Sequence, residues 1–249
     1  MLTFDNDLLA MLDADSRARL AAVGSLATWP AGAALFEPED PVDAVHFPLG
    51  TTLAALLIAL EGGASAEAAL IGRDGMIGGR AGDAPTPAFA RIVVVQGGSF
   101  LRVALPDFVA VSQQSAALTE VATRYADCLT AHLLQSVACN AVHSLEQRTA
   151  RWLLAAADRT GSRYISVTQE QLGALLGAGR SYTSRQIQRF KARNLVRTRR
   201  GGIALLDYDG IARHACACHR RIQRHTAAVL HGQPMPDRAL AGLNLQGAR

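Results

Sequence analysis

Residues 168–205 read TQEQLGALLGAGRSYTSRQIQRFKARNLVRTRRGGIAL, and the fold turns on this stretch. Thr168 with Gln171 three positions later forms a capping-box pattern, so a helix is expected to start at Gln169. Leu172, Leu175 and Leu176 give that helix one apolar stripe, and Gly177-Ala178-Gly179 ends it in a tight turn. A second helix is predicted from about Arg180–Ser181, with Ser181 as its cap. Thr183, Ile187 and Phe190 recur at helical spacing and should pack inward. Ser181, Tyr182, Arg185, Gln188 and Arg189 then occupy the opposite face. Two short helices joined by a glycine turn make a helix-turn-helix, whose second helix presents its N-terminal residues to base edges. Arginine can bond bidentately to guanine and glutamine to adenine. The run RTRR-GG-IALLD that follows reads as a hairpin with Arg197, Arg199 and Arg200 near its tip, a wing able to contact phosphate. Thr168, Gln169, Arg180 and Ser184 complete the expected DNA-binding set, and Lys191 and Arg193 are read as solvated charge.

The charge distribution agrees. Residues 1–140 carry 7 Arg against 15 acidic residues, whereas residues 141–231 carry 15 Arg and 1 Lys against 5. An acidic module joined to one that meets a polyanion accounts for such a split. Upstream, Ser115–Ala157 contains neither Gly nor Pro and should be one long helix or two nearly continuous ones. Leu118, Val121, Tyr125, Cys128 and His132, flanked by Leu129, alternate at three and four residues, as on the seam of a parallel dimer. The stretch CNAVHS (139–144) is the weakest helical segment and the expected hinge, and a further helix covers Leu145–Ala157. Residues 1–24 read as one or two short helices. From Ala27 to Leu105, short apolar runs alternate with turn residues, which indicates many short strands. The candidates are Val42–Phe47, Leu53–Leu60, Ala66–Ile71, Arg91–Val95 and Phe100–Leu105, with GRDG (72–75) as a turn. The class is α+β.

Other function classes find little support. The longest apolar run, Thr51–Leu60, is too short to span a bilayer, and the acidic N-terminus is unlike a signal peptide. With 4 cysteines, no disulfide framework is expected, and the cytoplasm is the plain location. No nucleophile elbow, phosphate loop or nucleotide fingerprint points to an enzyme. HACACH (214–219) offers His214, Cys216, Cys218 and His219, but Cys-x-Cys on one helix would point its sulfurs apart, so no metal site is expected there. Neither His46 nor His132 is singled out as a haem ligand.

At this point the chain resembles the Crp/Fnr family of bacterial transcription regulators. The resemblance rests on the helix-turn-helix stretch and, more loosely, on GAALFEPEDPVDAVHFPLG, IGRDGMIGG and ACNAVHSLEQRTARWLL. It implies a β-roll sensor (a cyclic-nucleotide-binding-like jelly roll) over residues 1–114 and a dimerisation helix over 115–141. A winged helix-turn-helix would follow over 142–231, with a loose tail over 232–249. Arg180 and Arg185 take the places of the family's paired recognition arginines, while Ser181 stands where many members have a base-reading Glu. In cyclic-nucleotide-binding relatives a Gly-Glu pair and an Arg-Ser hold the ligand. The corresponding positions here are Gly78, Gly79 and Arg91, and with Gly79 in place of the Glu, cyclic AMP binding is not expected. No cofactor is implied, and the effector is left open. The implied partners are double-stranded DNA at an inverted repeat, a second copy of the chain, and RNA polymerase, with no membrane. The alternatives are the same regulator working without a ligand, controlled by abundance or a protein partner, and a sensory protein whose basic face binds RNA or an acidic partner.

Overall fold

The structure is a computed structural model that describes residues 4–63, 65–78 and 85–234. Two short helices, α1 (Asp7–Ala10) and α2 (Ala14–Val23), open the chain, capped by Asn6 and Asp13. Asn6 is buried, and its amide donates to the carbonyls of Pro48 and Gly75 at 2.9 and 3.0 Å, which ties this end to the strands. The strands are β1 (Ser25–Trp29), β2 (Ala34–Phe36), β3 (Ala44–Pro48), β4 (Leu53–Ala59), β5 (Ser65–Ile71), β6 (Arg91–Gln96) and β7 (Gly98–Ala104). They form two antiparallel sheets, ordered β1-β7-β3 and β2-β6-β4-β5. Phe36, Ala54, Ile71, Val94 and Phe100 pack together in the roll's interior. All five expected strands exist, β3 beginning two residues later than its apolar run. The strands β1 and β2 went unforeseen because residues 25–29 are mostly exposed and residues 34–36 are too short to show an alternation.

Helix α3 (Leu105–Gln114) follows with Pro106 in its first turn, and Ser115 caps α4 (Ala116–Val142). The chain breaks at His143, and Ser144 starts α5 (Leu145–Thr160) with a reciprocal capping box to Gln147. A short strand, β8 (Tyr164–Ile165), leads into α6 (Gln169–Leu175), α7 (Arg180–Ala192), β9 (Val196–Arg199) and β10 (Gly202–Leu205). β10 sits between β8 and β9, so the wing is a three-stranded antiparallel sheet. Two helices end the described chain, α8 (Tyr208–His214) and α9 (Cys218–His231).

Two features of the packing depart from the sequence reading. First, α9 runs antiparallel along α4: the Arg124 guanidinium donates to the Val229 carbonyl, and Gln135 meets Cys218. Together with α3 and β5, α9 covers the stripe expected on a dimer seam. Leu118, Val121, Tyr125, Cys128 and His132 are all buried within the single chain, and Leu129 is half-buried. Between α4, α9, Leu70, Asp74 and Arg159 a cavity of only about 20 Å³ remains, room for one water. That stripe is therefore core within the single chain, not an exposed seam. Second, α5 packs across the roll. Leu53, Ala55, Leu57, Leu70 and Val95 of the strands share one buried cluster with Trp152, Leu153, Leu172, Ile187, Phe190 and Ile203. The two halves thus meet in a common core without a thin linker.

The HACACH expectation is also revised. Cys216 lies in the link between α8 and α9 and Cys218 opens α9, so the two are not on one helix and their sulfurs need not diverge.

Candidate nucleic-acid interface

The first helix of the pair forms as its capping signal requires. The Thr168 hydroxyl accepts from the Gln171 N–H at 3.1 Å, and the Gln171 side chain accepts from the Thr168 N–H at 2.9 Å. Leu172 and Leu176 are buried and Leu175 is half-buried, so α6 packs by its leucine stripe. Thr183, Ile187 and Phe190 are fully buried and hold α7 down. The α7 cap is Gly179, which contributes no side-chain bond. Ser181 is therefore not a cap; it sits exposed in the first turn, with its hydroxyl unused by the helix end. The face left outward carries Ser181, Tyr182, Arg185, Gln188 and Arg189, and Ser184 is half-buried beside it. Gly201 turns the wing with φ +78°, a left-handed conformation that glycine adopts without steric cost, and Arg199 and Arg200 lie exposed at this tip.

The charges on this face are not equivalent. Arg180 meets Glu170 at 3.4 Å, both strongly exposed, an ion pair worth little in water and easily traded for a phosphate. Arg189 is drawn back towards Glu146 at 3.7 Å and Gln186 at 3.4 Å, and Arg193 meets Glu146 at 3.2 Å. Arg185 makes no ion pair among the described residues; its guanidinium lies 5.3 Å from the centre of the Tyr182 ring, which stands 58% exposed. Between α6, α7 and the wing lies a cleft of about 410 Å³ lined by Thr168, Gln169, Arg180, Ser184 and Arg199. Five of the expected residues thus line one cleft together with Glu170, while Ser181, Tyr182, Arg185, Gln188, Arg189 and Arg200 lie outside its lining.

Residues 147–214 match the family described as the Crp-like helix-turn-helix domain. This segment is a Crp-like helix-turn-helix. Structural neighbours extend the likeness of fold to the rest of the chain. FixK2 from Bradyrhizobium japonicum superposes with a TM-score of 0.67 at 13% identity, covering 78% of this chain and 98% of that one. A CRP-family transcriptional regulator from Thermus thermophilus gives 0.62 at 15% identity, covering 76% and 96%. The c-di-GMP-responsive global regulator CLP of Xanthomonas campestris gives 0.57 at 16% identity, covering 78% and 99%. No curated protein matches the chain in sequence. The architecture is that of the Crp/Fnr regulators: a β-roll, a long helix and a C-terminal helix-turn-helix. No helix among the described residues is long and apolar enough to cross a membrane.

The Crp-like domain meets the roll at an unusual contact. Trp152 of α5 donates its indole N–H to the carboxylate of Glu67 on β5. Glu67 as a whole is half-buried, but its carboxyl end is turned inward, and burial raises its pKa from 4.5 to about 7 despite Trp152 and three nearby arginines. Between those two values the folded chain holds a proton that the unfolded chain has released. Stability should therefore fall as pH rises across that window and level off above it. Glu67→Gln keeps an acceptor for Trp152 and removes the titration. Urea denaturation of this variant should lack the slope between about pH 5 and 7 and show greater stability than the parent at about pH 8. An unchanged slope would mean that Glu67 does not titrate there.

The residues expected in an effector pocket fare differently. Gly79 lies outside the described residues. Gly78 (φ +85°) is pressed against the Ala44 carbonyl, where a Cβ would come within 2.3 Å, so its role is packing. The Arg91 guanidinium, exposed on β6, is held by Glu37 at 3.0 Å. The titratable groups that burial perturbs most lie elsewhere. Burial and the neighbouring Arg159 and Arg151 keep His132 neutral, and its Nδ1 lies 3.3 Å from Arg159. Burial and Arg102 lower His46 to about 4.

Proposed function

We propose that the chain is a cytoplasmic transcription regulator of the Crp/Fnr type that binds double-stranded DNA as a homodimer at an inverted repeat. The observation that carries this reading is Arg185. On α7 it is exposed, free of ion pairs among the described residues and propped by an exposed aromatic ring, in the domain that matches the Crp-like helix-turn-helix. With α7 in the major groove, Arg185 and Gln188 would reach base edges, while Thr168, Gln169, Arg199 and Arg200 would meet phosphates on either side. Arg180 would leave Glu170 for the backbone. Ser181, which is short and needed by neither cap nor core, would leave one base position unread or read through water.

Dimerisation would use the outer face of α4. Thr119, Thr123, Ala126, Thr130, Leu134, Val137 and Ala141 follow one another at intervals of three or four residues, and all are exposed. Two-fold symmetry then sets the half-sites about one helical turn, roughly 34 Å, apart. The roll is the sensor of this arrangement. Cyclic AMP is not read as its effector, because Gly79 stands where cyclic-nucleotide-binding relatives carry the Glu, and Arg91 is followed by Ile92 and not by Ser.

Selection of bound fragments from random duplex DNA, with and without cyclic AMP, should return the same palindromic motif in both arms. Recovery of no motif would sink the specific-regulator reading and favour a nonspecific polyanion surface. Arg185→Ala should cost about 1–3 kcal/mol on the selected site and leave weak nonspecific binding nearly intact. Equal losses on all sequences would make Arg185 a phosphate contact only.

A further inference from the structure

Three of the chain's four cysteines meet at one point. Cys139 comes from the last turn of α4, and His143 caps that helix, its N–H donating to the Cys139 carbonyl at 3.1 Å. Cys216 comes from the link after α8, and Cys218 is the first residue of α9. Their Sγ atoms and one His143 ring nitrogen all lie within 4.8 Å of one another. Cys139 Sγ and Cys216 Sγ are 3.6 Å apart, as are Cys218 Sγ and His143 Nδ1. Ligands 2.0–2.3 Å from a tetrahedral zinc ion stand about 3.3–3.8 Å from each other, so two of the separations already match such a sphere and the rest, within 4.8 Å, need only a small contraction.

The surroundings suit a thiolate-rich centre. The three cysteines are buried as a cluster of their own, which keeps solvent from the sulfurs. Gln135 Nε2 lies 3.1 Å from Cys218 Sγ as an outer donor. Arg151 is 8% exposed and its buried Nε has no partner. Three thiolates and a neutral imidazole around a divalent ion sum to one negative charge, and Arg151 supplies the opposite one. Packing alone would be served by any small apolar residues; it does not explain four convergent lone pairs beside an unpartnered guanidinium.

We propose that Cys139, His143, Cys216 and Cys218 bind a single zinc ion in a closed, tetrahedral, structural site. Four protein ligands complete the coordination sphere and leave no open position for catalysis. The thiolates of an iron–sulfur cluster would be divided between irons and stand farther apart than these do. The ion would join the end of α4 to the start of α9 at the break His143–Ser144, directly before the helix that begins the Crp-like domain. Holding that joint would fix the angle at which the domain leaves α4. This consequence for DNA rests on the proposed function; the metal site itself does not.

The test uses the full, untagged chain purified under reducing conditions without added metal. One zinc per chain is expected, together with a fall in melting temperature after stripping by a chelator and recovery on adding Zn²⁺. Replacement by Co²⁺ should give the intense visible bands of a tetrahedral site with thiolate-to-metal charge transfer in the near ultraviolet. Cys216→Ser and His143→Ala should lose or weaken the ion, whereas Cys128→Ala, remote from the site, should retain it. If the ligand variants fail to fold, the cobalt spectrum of the unaltered chain still decides. A weak octahedral spectrum or no bound metal would overturn the proposal. So would iron with acid-labile sulfide, or a Cys139–Cys216 disulfide trapped by alkylation directly from cells. Loss of inverted-repeat affinity on stripping, restored by Zn²⁺, would extend the site to control of DNA binding. Unchanged affinity with a confirmed zinc would leave the metal site standing and remove only its link to DNA.

Discussion

Trp152→Ala should destabilise the chain by about 3–5 kcal/mol, and both halves should lose stability together. Trp152 is 1% exposed and belongs to a cluster that includes Leu53, Leu57 and Val95 of the roll and Leu172, Ile187 and Phe190 of the helix-turn-helix. Truncation opens a void in close-packed surroundings that can only partly collapse. It also removes the indole N–H from Glu67, and an inward-facing carboxyl without its donor costs a further about 1–3 kcal/mol if it cannot turn to solvent. The two contributions share one site and should not be added as independent amounts.

The measurement is urea denaturation followed by two signals, far-ultraviolet circular dichroism for the whole chain and fluorescence of the remaining Trp29 for the roll. Coincident transitions displaced to lower urea are expected, because the roll and the domain bury apolar surface against each other. A roll signal that keeps its original midpoint while the helical signal moves would mean that the common core does not couple the halves. The same construction explains why Glu67 matters: its titration acts on the joint between the two modules, and pH should move the docking of the domain as well as global stability.

How much of this was legible follows from which forces act locally. The capping box at Thr168, the glycine turn and the inward stripe Thr183, Ile187, Phe190 are short-range signals, and their elements lie where the residues indicate. The break at His143–Ser144 was visible for the same reason, since helix formers give way there to a good cap. The stripe Leu118–His132 was equally plain as a stripe, but periodicity does not say what covers it. The cover is α9, about a hundred residues downstream; its own amphipathic pattern is clear, but a stripe does not name the stripe it packs against. Cys216 and Cys218 misled through a geometric assumption. At 100° per residue their sulfurs diverge, but α8 ends at His214 and α9 starts at Cys218, so Cys216 lies in the link and does not share a helix with Cys218. Their partners Cys139 and His143 are four residues apart, in the last turn of α4 and at its cap, a spacing that could have drawn notice as a possible ligand pair. The third dimension was missing: nothing in the sequence brings residue 139 to residue 216.

Leu134→Glu combined with Val137→Glu should leave the chain folded but monomeric. These side chains are 68% and 70% exposed, so the fold does not depend on them, and circular dichroism and melting temperature should change little. The inner stripe of α4 is already spent on α3, α9 and β5, so the proposed dimer would use the outer face. Val142, 75% exposed, extends that face towards the break. Each Leu or Val removed from water by a partner contributes about 1.5–3 kcal/mol, and two-fold symmetry counts each position twice. The glutamates would forfeit that gain and place four like charges along one seam. Sedimentation equilibrium should show the parent as a dimer and the double variant as a single chain. On an inverted repeat the variant should bind about 10²–10⁴-fold more weakly, because the second half-site no longer profits from tethering to the first. On a lone half-site the two proteins should bind alike, with Arg185→Ala weakening both. A double variant that still sediments as a dimer would move the interface off α4, and with it the expected spacing of the two recognition helices.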